Sequence, residues 1–440
     1  MKRKNVLRRQ MTDGCRTYFQ MNLIQRLMYL RRLYDYDSIQ HEEQKQVIDK
    51  QIINHLSTEN KYYINKNNYQ QLKIIGEKIK SALDLLQNPT DCSNARIILP
   101  TQYCGFGCIM HQINYCLIIG SESGRTVIIE NEETKIYKFN VKWSEVFEPI
   151  TNCSYTKHVK PFLPLNDYEE PGQIDRILYL KYRLYLHKEI NVSRGFDVAP
   201  IEIKDSILKY TYNPILWFRG QLINYIWKEN ERIKKETNKI LSEIRIECGP
   251  VVGIHVRRTD KTSEAKIHKL EAYMKWVNFW FDVHEAIFFT IIQNFLFLIF
   301  INESWEALTE ILAVSQILAR SQLLVCTYSS NVCRIIYELM QAIQGDVSKN
   351  AHSIDYLYGQ YWNENEMEST TDYKPVHEYP VTPEDIWAEK GDIIVVKSAV
   401  HNDGLVRGRN LRLNTEGNFP IYLLKEYSRF KNFSIFANIK

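Results

Sequence analysis

Residues 251–264 read VVGIHVRRTDKTSE. Gly249 and Pro250 break the chain just before them, and residues 251–256 then run apolar without the polar alternation of a half-exposed strand. Such a run predicts a strand buried on both faces, as in a parallel sheet. It ends in Arg257, Arg258 and Lys261, a dense group of cations. In open α/β sheets ligands collect beyond the carboxyl ends of strands, and guanidinium forks match phosphate oxygens in a bidentate way. Adjacent side chains on an extended strand point to opposite faces, so one arginine serves as main phosphate ligand and the other is free to brace a carboxylate such as Asp260. A solvated basic turn is the plainer reading of RRTDK. Glu264, three residues beyond Lys261, tips the balance, because a carboxylate there can take a proton from an acceptor hydroxyl while the cations stabilise a departing diphosphate. An ordinary glutamate titrates near about 4.3 and is therefore ionised and basic at neutral pH.

A second candidate phosphate contact is YCGFGC, residues 103–108. Gly105 and Gly107 allow backbone amides a close approach, with Cys104 and Cys108 on either side, although the GxGxxG pattern is absent.

Outward from these stretches the chain alternates between strand and helix patterns. Residues 125–130 (RTVIIE) are strand-like, 112–119 are apolar, 213–227 read as an aromatic-rich helix and 228–243 as a charged one. A second buried strand at 322–326 precedes a helix at 331–342. The alternation predicts an α/β class. Nearer the start, Leu23, Leu27 and Leu30 mark one helical stripe, and Leu72, Ile75, Ile79 and Leu83 another, which should stop at Asn88-Pro89. Between 345 and 379 the composition turns polar, which suggests a linker or surface segment. From Val381 onward the short apolar runs and the glycines Gly391, Gly404, Gly408 and Gly417 suggest an SH3-like barrel.

At 440 residues and 45% hydrophobic the chain can build two or three cores, and its 25% charged residues nearly cancel to +4. Composition therefore gives no reason to expect a nucleic acid partner. The basic opening residues are followed by no apolar run, so neither a signal peptide nor a signal anchor is visible. Residues 286–301 (AIFFTIIQNFLFLIFI) fall short of the roughly 20 residues of a membrane span and are interrupted by Gln293 and Asn294, which favours a buried element. Of nine cysteines, Cys104 with Cys108 and Cys326 with Cys333 are spaced to close short loops. Zinc is the competing reading, but paired Cys-x-x-Cys spacing is missing. Disulfides imply an oxidising compartment, in keeping with Asn-x-Ser sequons at Asn152, Asn191, Asn302 and Asn432.

HVRRTDK, GFGC with its following His111, and VCTYSSNVCRIIYELMQ at 325–341 together resemble the α1,6-fucosyltransferases that add core fucose to N-glycans. The resemblance runs from about Ala82 to about Lys425, with a break in the middle. It implies a helical coiled-coil stem at 1–90, an open α/β domain at 91–250, a Rossmann-like donor-binding domain at 251–375 that completes a GT-B-like core, and an SH3-like domain at 376–430. It also implies inverting, metal-independent transfer of L-fucose from GDP-fucose to the 6-hydroxyl of the innermost N-acetylglucosamine. The setting would be the Golgi, in a homodimer joined through the stem, with a type II anchor that this sequence does not display. Among the residues, Arg257 and Arg258 would hold the β-phosphate with Ser330, and His255 would sit near guanine. Glu264 would be the base, with Arg257 and Lys261 as its catalytic companions. Gly105, Gly107, Cys108 and Tyr273 would complete the donor site, and His401 would face the acceptor glycan. The resemblance also pairs Cys92 with Cys153, Cys104 with Cys108 and Cys326 with Cys333, and leaves Cys15, Cys116 and Cys248 without assigned bonds.

The chain departs from that family in two places. Between Met274 and Leu308 the family's paired aspartates are missing and the phenylalanine-rich run stands there instead. Val314 takes the place of the acidic residue that faces guanine, which would leave a donor edge unpaired at about 1–3 kcal/mol. The alternative to an active enzyme is thus a catalytically impaired homologue that keeps stem and barrel to bind glycan or act as a scaffold. In the barrel, Asp403-Gly404 lacks the tryptophan of a proline-peptide groove.

Overall fold

The computed structural model describes residues 66–100, 104–129, 135–136, 139–159, 176–180, 198–243, 251–256, 265–284, 304–359, 366–370, 385–398 and 405–436. Helix α1, Lys66–Gln87, turns Leu72, Ile79 and Leu83 into the main core and stops just before Asn88-Pro89. The stripe read from the sequence is thus its buried face. The other predicted stripe, at Leu23, Leu27 and Leu30, lies outside the described residues, as does the apolar run at 286–301. Among the described residues no helix is long and apolar enough to cross a membrane.

Strand β1, Ile97–Pro100, helix α2, Phe106–Ser123, and strand β2, Thr126–Val127, form a parallel strand–helix–strand unit, with Ile97 opposite Thr126. Strand β3, Ile177–Leu180, pairs in parallel along the other edge of β1. The apolar run at 112–119 lies within α2, which is buried almost all round. A helix with no polar face is one enclosed by neighbours. After β4, Val198–Pro200, comes α3, Pro214–Ile226, which starts on Asn213: its side chain accepts the Leu216 amide while Pro214 occupies the first turn. The charged helix α4, Glu231–Glu243, follows.

The second sheet is built around β5, Val252–Ile254, into which the opening sequence runs. Helices α5, Leu270–His284, and α6, Trp305–Leu318, lead to β6, Leu323–Cys326. Helix α7, Asn331–Gln344, then leads to β7, Ala351–Ser353. The three strands are parallel in the order β5-β6-β7, with Val252 opposite Leu323 and Leu324 opposite Ala351. Continuous apolar strands suit this arrangement, because helices cover both faces. Gly253 has no room for a side chain: a Cβ there would stand 2.8 Å from the side chains of Leu318 and Ser321. The main core draws on both sides of residue 250, bringing Ile109, Trp217 and Leu222 together with Leu312, Ile335 and Leu339.

Strands β8, Glu366–Ser369, β9, Ile393–Val396, β10, Leu405–Asn410, β11, Thr415–Pro420, and β12, Leu424–Glu426, make an antiparallel sheet in the order β11-β10-β9-β8-β12. Its buried cluster includes Ile394, Val396, Leu405, Val406 and Phe419. Strand β13, Arg429–Lys431, returns to pair in parallel with β4. The polar stretch 345–379, read as a linker, instead contributes β7 and β8. Both are short strands whose backbones complete a sheet without apolar side chains on each face, so composition did not reveal them.

Asp392 ties this C-terminal sheet together. Its carboxylate accepts from Arg412 Nε (2.5 Å) and Nη2 (2.9 Å), from Asn410 Nδ2 (2.8 Å) and from the Glu389 amide (2.9 Å). The Arg412 guanidinium leads in holding its pKa down at about 2, against 3.8 ordinarily. A depressed carboxylate contributes stability above its unfolded pKa and loses it as pH falls through the folded value. Asp392→Asn is therefore expected to cost about 1–2 kcal/mol at pH 7, discounted because Arg412 is half-exposed. The gap from wild type should close between about pH 4 and pH 2, and thermal unfolding of both proteins across that range measures it. A gap that is constant with pH would contradict the assignment.

Candidate donor site at the carboxyl edge of the sheet

Strands β5, β6 and β7 leave their sheet side by side. At the end of β5, His255 is half-buried and its amide donates to the Val325 carbonyl on β6 (3.0 Å). The chain then enters residues 257–264, which lie outside the described residues and include Arg257, Arg258, Lys261 and Glu264. His401 also falls outside them.

Strand β6 ends in a tight turn, Thr327 to Ser330, every residue of which is buried. Ser330 is the N-cap of α7, with φ −91° and ψ 117°, and its side chain makes no capping hydrogen bond to the helix. The disulfide between Cys326 and Cys333 joins the strand end to the first helical turn. The exit of β7 holds the same turn from beside it. The Tyr328 amide donates to Ser353 Oγ (3.0 Å), and Ser353 Oγ donates to Asp355 (2.8 Å), which also takes the Ser329 amide at 3.4 Å. Short polar residues after a strand favour such local bonding over continued pleating.

The YCGFGC stretch comes to the same place from another part of the chain. Gly105 is the N-cap of α2, and the Cys104–Cys108 disulfide clasps that helix start. Gly107 lies directly on the head of α7: a Cβ on it would stand 2.8 Å from Asn331 Cβ and 2.9 Å from the Val332 nitrogen. Two helix N-termini therefore meet at the sheet's carboxyl edge. Each carries roughly half a positive charge and unshared amides, a setting that favours an anion.

Behind this junction lies a buried ionic cluster. Glu338 on α7 is fully buried; one oxygen lies 3.0 Å from His111 Nε2 on α2, the other 3.1 Å from Arg219 Nη2 on α3. The Tyr358 hydroxyl donates to the same carboxylate, and the Arg219 guanidinium lies over the Tyr358 ring at 5.4 Å. Burial by itself would raise the Glu338 pKa, but His111 and Arg219 outweigh it and hold the carboxyl below its ordinary value. Burial lowers the His111 pKa against the pull of Glu338. Gly220 on α3 leaves the backbone close enough that a Cβ would collide with the Glu338 carbonyl.

The structure thus brings Gly105, Gly107, Cys108, Ser330 and His255 to one edge. Tyr273 is fully buried on α5 among Val252, Ile254, Trp276 and Val325, with Val256 and Ile354 packed against the same cluster. Val314, on α6, packs against the main core. Cys92 is joined to Cys153, and Cys116 is a buried free thiol. Sequence reasoning missed Arg219, Glu338 and Asp355. A lone charge inside an apolar helix, such as Arg219 in PILWFRGQLINYI or Glu338 in RIIYELM, was the available signal, since such a charge seldom goes unpaired when buried. Among the described residues no group of three or more His, Cys, Asp or Glu side chains is arranged to hold a metal ion.

Between the β7 exit and β12 lies a cleft enclosing about 680 Å³, open to solvent and lined by Tyr212, Tyr328, Tyr356, Lys349 and Lys425 among others.

The family profile for alpha-(1,6)-fucosyltransferase N- and catalytic domains matches residues 4–297 and 303–359. The Alpha-(1,6)-fucosyltransferase of Drosophila melanogaster is 27% identical over 409 residues, covering 84% of this chain and 63% of its own length. That of Caenorhabditis elegans is 27% identical over 410 residues, covering 82% and 70%. The chain therefore spans less than two thirds of the fly relative. Among solved structures, NodZ alpha-1,6-fucosyltransferase soaked with GDP-fucose matches 56% of this chain and 93% of its own, at 13% identity and a TM-score of 0.31. POFUT1 in complex with GDP-fucose matches 60% and 98%, at 15% identity and a TM-score of 0.33.

Proposed function

The chain belongs to the alpha-(1,6)-fucosyltransferase family, and on that premise we propose that it transfers L-fucose from GDP-fucose to the 6-hydroxyl of the innermost N-acetylglucosamine of N-glycans. The observation that carries this reading is the meeting of the α2 and α7 N-termini beside the exit of β5, where the sequence continues into Arg257, Arg258 and Lys261.

In this reading the diphosphate lies on that edge. Backbone amides near Gly105, Gly107 and Ser330 receive its oxygens, and Arg257 forks onto the β-phosphate with Arg258 beside it. As the bond from fucose to phosphate lengthens, negative charge gathers on the departing GDP and these groups stabilise it. Glu264 takes the proton of the acceptor 6-hydroxyl as that oxygen attacks from the opposite face, so the sugar centre inverts. Arg257, Lys261 and the two helix heads supply the countercharge, which is why the reaction is read as metal-independent. His255, at the mouth of β5, is placed toward guanine. The cleft between β7 and β12 supports an acceptor path along the SH3-like sheet, with His401 as its candidate glycan contact. The disulfides Cys92–Cys153, Cys104–Cys108 and Cys326–Cys333 support an oxidising lumen such as the Golgi, and a homodimer through the N-terminal helices completes the proposal.

The absence of paired aspartates between Met274 and Leu308, with Val314 at the guanine-facing place, favours one alternative: a catalytically impaired homologue that keeps the stem and SH3-like domain to bind glycan or act as a scaffold. Purified protein incubated with GDP-fucose and a biantennary N-glycopeptide separates the two. The expected product carries one added deoxyhexose on the innermost sugar. Binding of GDP or of the glycopeptide with no transfer would select the impaired homologue, and binding of neither would overturn both.

A further inference from the structure

We infer that Glu338 is a positioning residue for the donor site, its buried carboxylate locking the helix that begins at Gly105 to the helix capped by Ser330. The inference rests on the donor-site reading above. Helices α2 and α7 lie side by side and run in the same direction, since Gly107 meets Asn331 at their heads and, farther along, His111 meets Glu338. The first contact is a close steric fit of Gly107 against Asn331 and Val332. A close fit alone leaves the two heads able to slide along each other. The second contact restricts that freedom, because the Glu338 carboxylate is hydrogen-bonded to His111 and Tyr358 and ion-paired with Arg219, and hydrogen bonds hold their partners in a preferred direction.

Those partners come from three other segments. His111 lies one turn into α2 from Gly107, Arg219 is on α3, and Tyr358 lies five residues beyond the end of β7. The β7 exit is the element whose Ser353 and Asp355 hold the turn at Tyr328 and Ser329. Glu338 is thus bonded to the segments that carry both halves of the anion site and the prop of its turn, while itself lying two turns down α7 from Ser330 and within the core. It does not touch the donor in this arrangement. Its effect on catalysis passes through the spacing of the two helix heads, where a misplacement of about 1 Å can cost about 100-fold in rate.

The test compares wild type, Glu338→Gln and Tyr358→Phe. GDP affinity is read by titration calorimetry, the KM for GDP-fucose and for glycopeptide from initial rates, and folding from thermal unfolding. Tyr358→Phe removes one hydrogen bond to the carboxylate and keeps the ring. The expected result is a loss of GDP affinity of about 10- to 100-fold in Glu338→Gln and a smaller loss in Tyr358→Phe. The KM for donor should rise in both, while that for glycopeptide stays at the wild-type value in Glu338→Gln; Tyr358 also lines the proposed acceptor cleft, so in Tyr358→Phe GDP affinity is the deciding readout. General loosening of the fold would move both KM values of Glu338→Gln together, and that outcome overturns the proposal. Unchanged GDP affinity in folded variants overturns it too. Should Glu338→Gln not fold, Tyr358→Phe decides by GDP affinity alone. Failure of wild type itself to bind GDP would sink the donor-site reading instead, a result distinct from normal wild-type binding with indifferent variants.

Discussion

Arg257→Ala is expected to lower kcat/KM for fucose transfer by about 10²- to 10³-fold, equivalent to about 3–4 kcal/mol of transition-state stabilisation. The size follows from what remains when the guanidinium is gone. Each of the helix heads at Gly105 and Ser330 offers roughly half a charge, and that charge is spread over several amides. A departing nucleoside diphosphate concentrates its new charge on one phosphate oxygen, and a fork of two N–H donors aimed at that oxygen is the strongest neutral-pH partner a protein can place there. Glu264→Gln should behave differently, since a base acts on the acceptor hydroxyl and not on the nucleotide. Transfer should fall while GDP affinity stays close to wild type. Calorimetric GDP binding beside initial-rate kinetics distinguishes the two residues, and an equal loss of GDP affinity in both variants would contradict the assigned roles.

The parts of the fold that could be read from sequence are those where side chains alone declare the environment. Strands β5 and β6 are apolar on both faces, so their burial in a parallel sheet was legible, and α7 followed from its helical spacing. The stop of α1 at Asn88-Pro89 came from backbone sterics. Strands β7 (AHS) and β8 (EMES) were not legible because they join their sheets through backbone hydrogen bonds and carry mostly polar side chains. For the site, Gly107 and Ser330 could be singled out but not their meeting, which depends on packing across more than two hundred residues of chain. Glu338 was hidden for a related reason. In RIIYELM it looks like a charge on a solvated helix face, and only His111, Arg219 and Tyr358, from three distant segments, make its burial tolerable. The placement of Tyr273 inside the core beneath β5 was equally invisible, since a tyrosine serves both a pocket wall and a core.

Arg219→Ala is expected to destabilise the folded protein by about 3–5 kcal/mol, the cost of leaving a buried charge without its partner. Arg219 is 1% exposed and Glu338 0%, so water cannot replace the lost guanidinium. His111 is a weak substitute, because burial works against its charged form, and the Tyr358 hydroxyl donates without adding charge. The loss is one of pairing more than of volume, and a double replacement separates these causes. Changing Arg219 and Glu338 together to leucine removes both charges, and its cost should fall well short of the sum of the two single changes. Denaturant unfolding at pH 7 measures all four proteins. The pH dependence gives an independent check. A carboxyl held below its ordinary value contributes stability above its unfolded pKa, about 4.3, and loses it as pH falls below that. The advantage of wild type over Glu338→Gln should therefore persist from neutral pH to about pH 4 and shrink on further acidification. Additive single changes, or an advantage that shrinks already near neutrality, would show that Arg219 and Glu338 do not form the pair that holds α3 against α7.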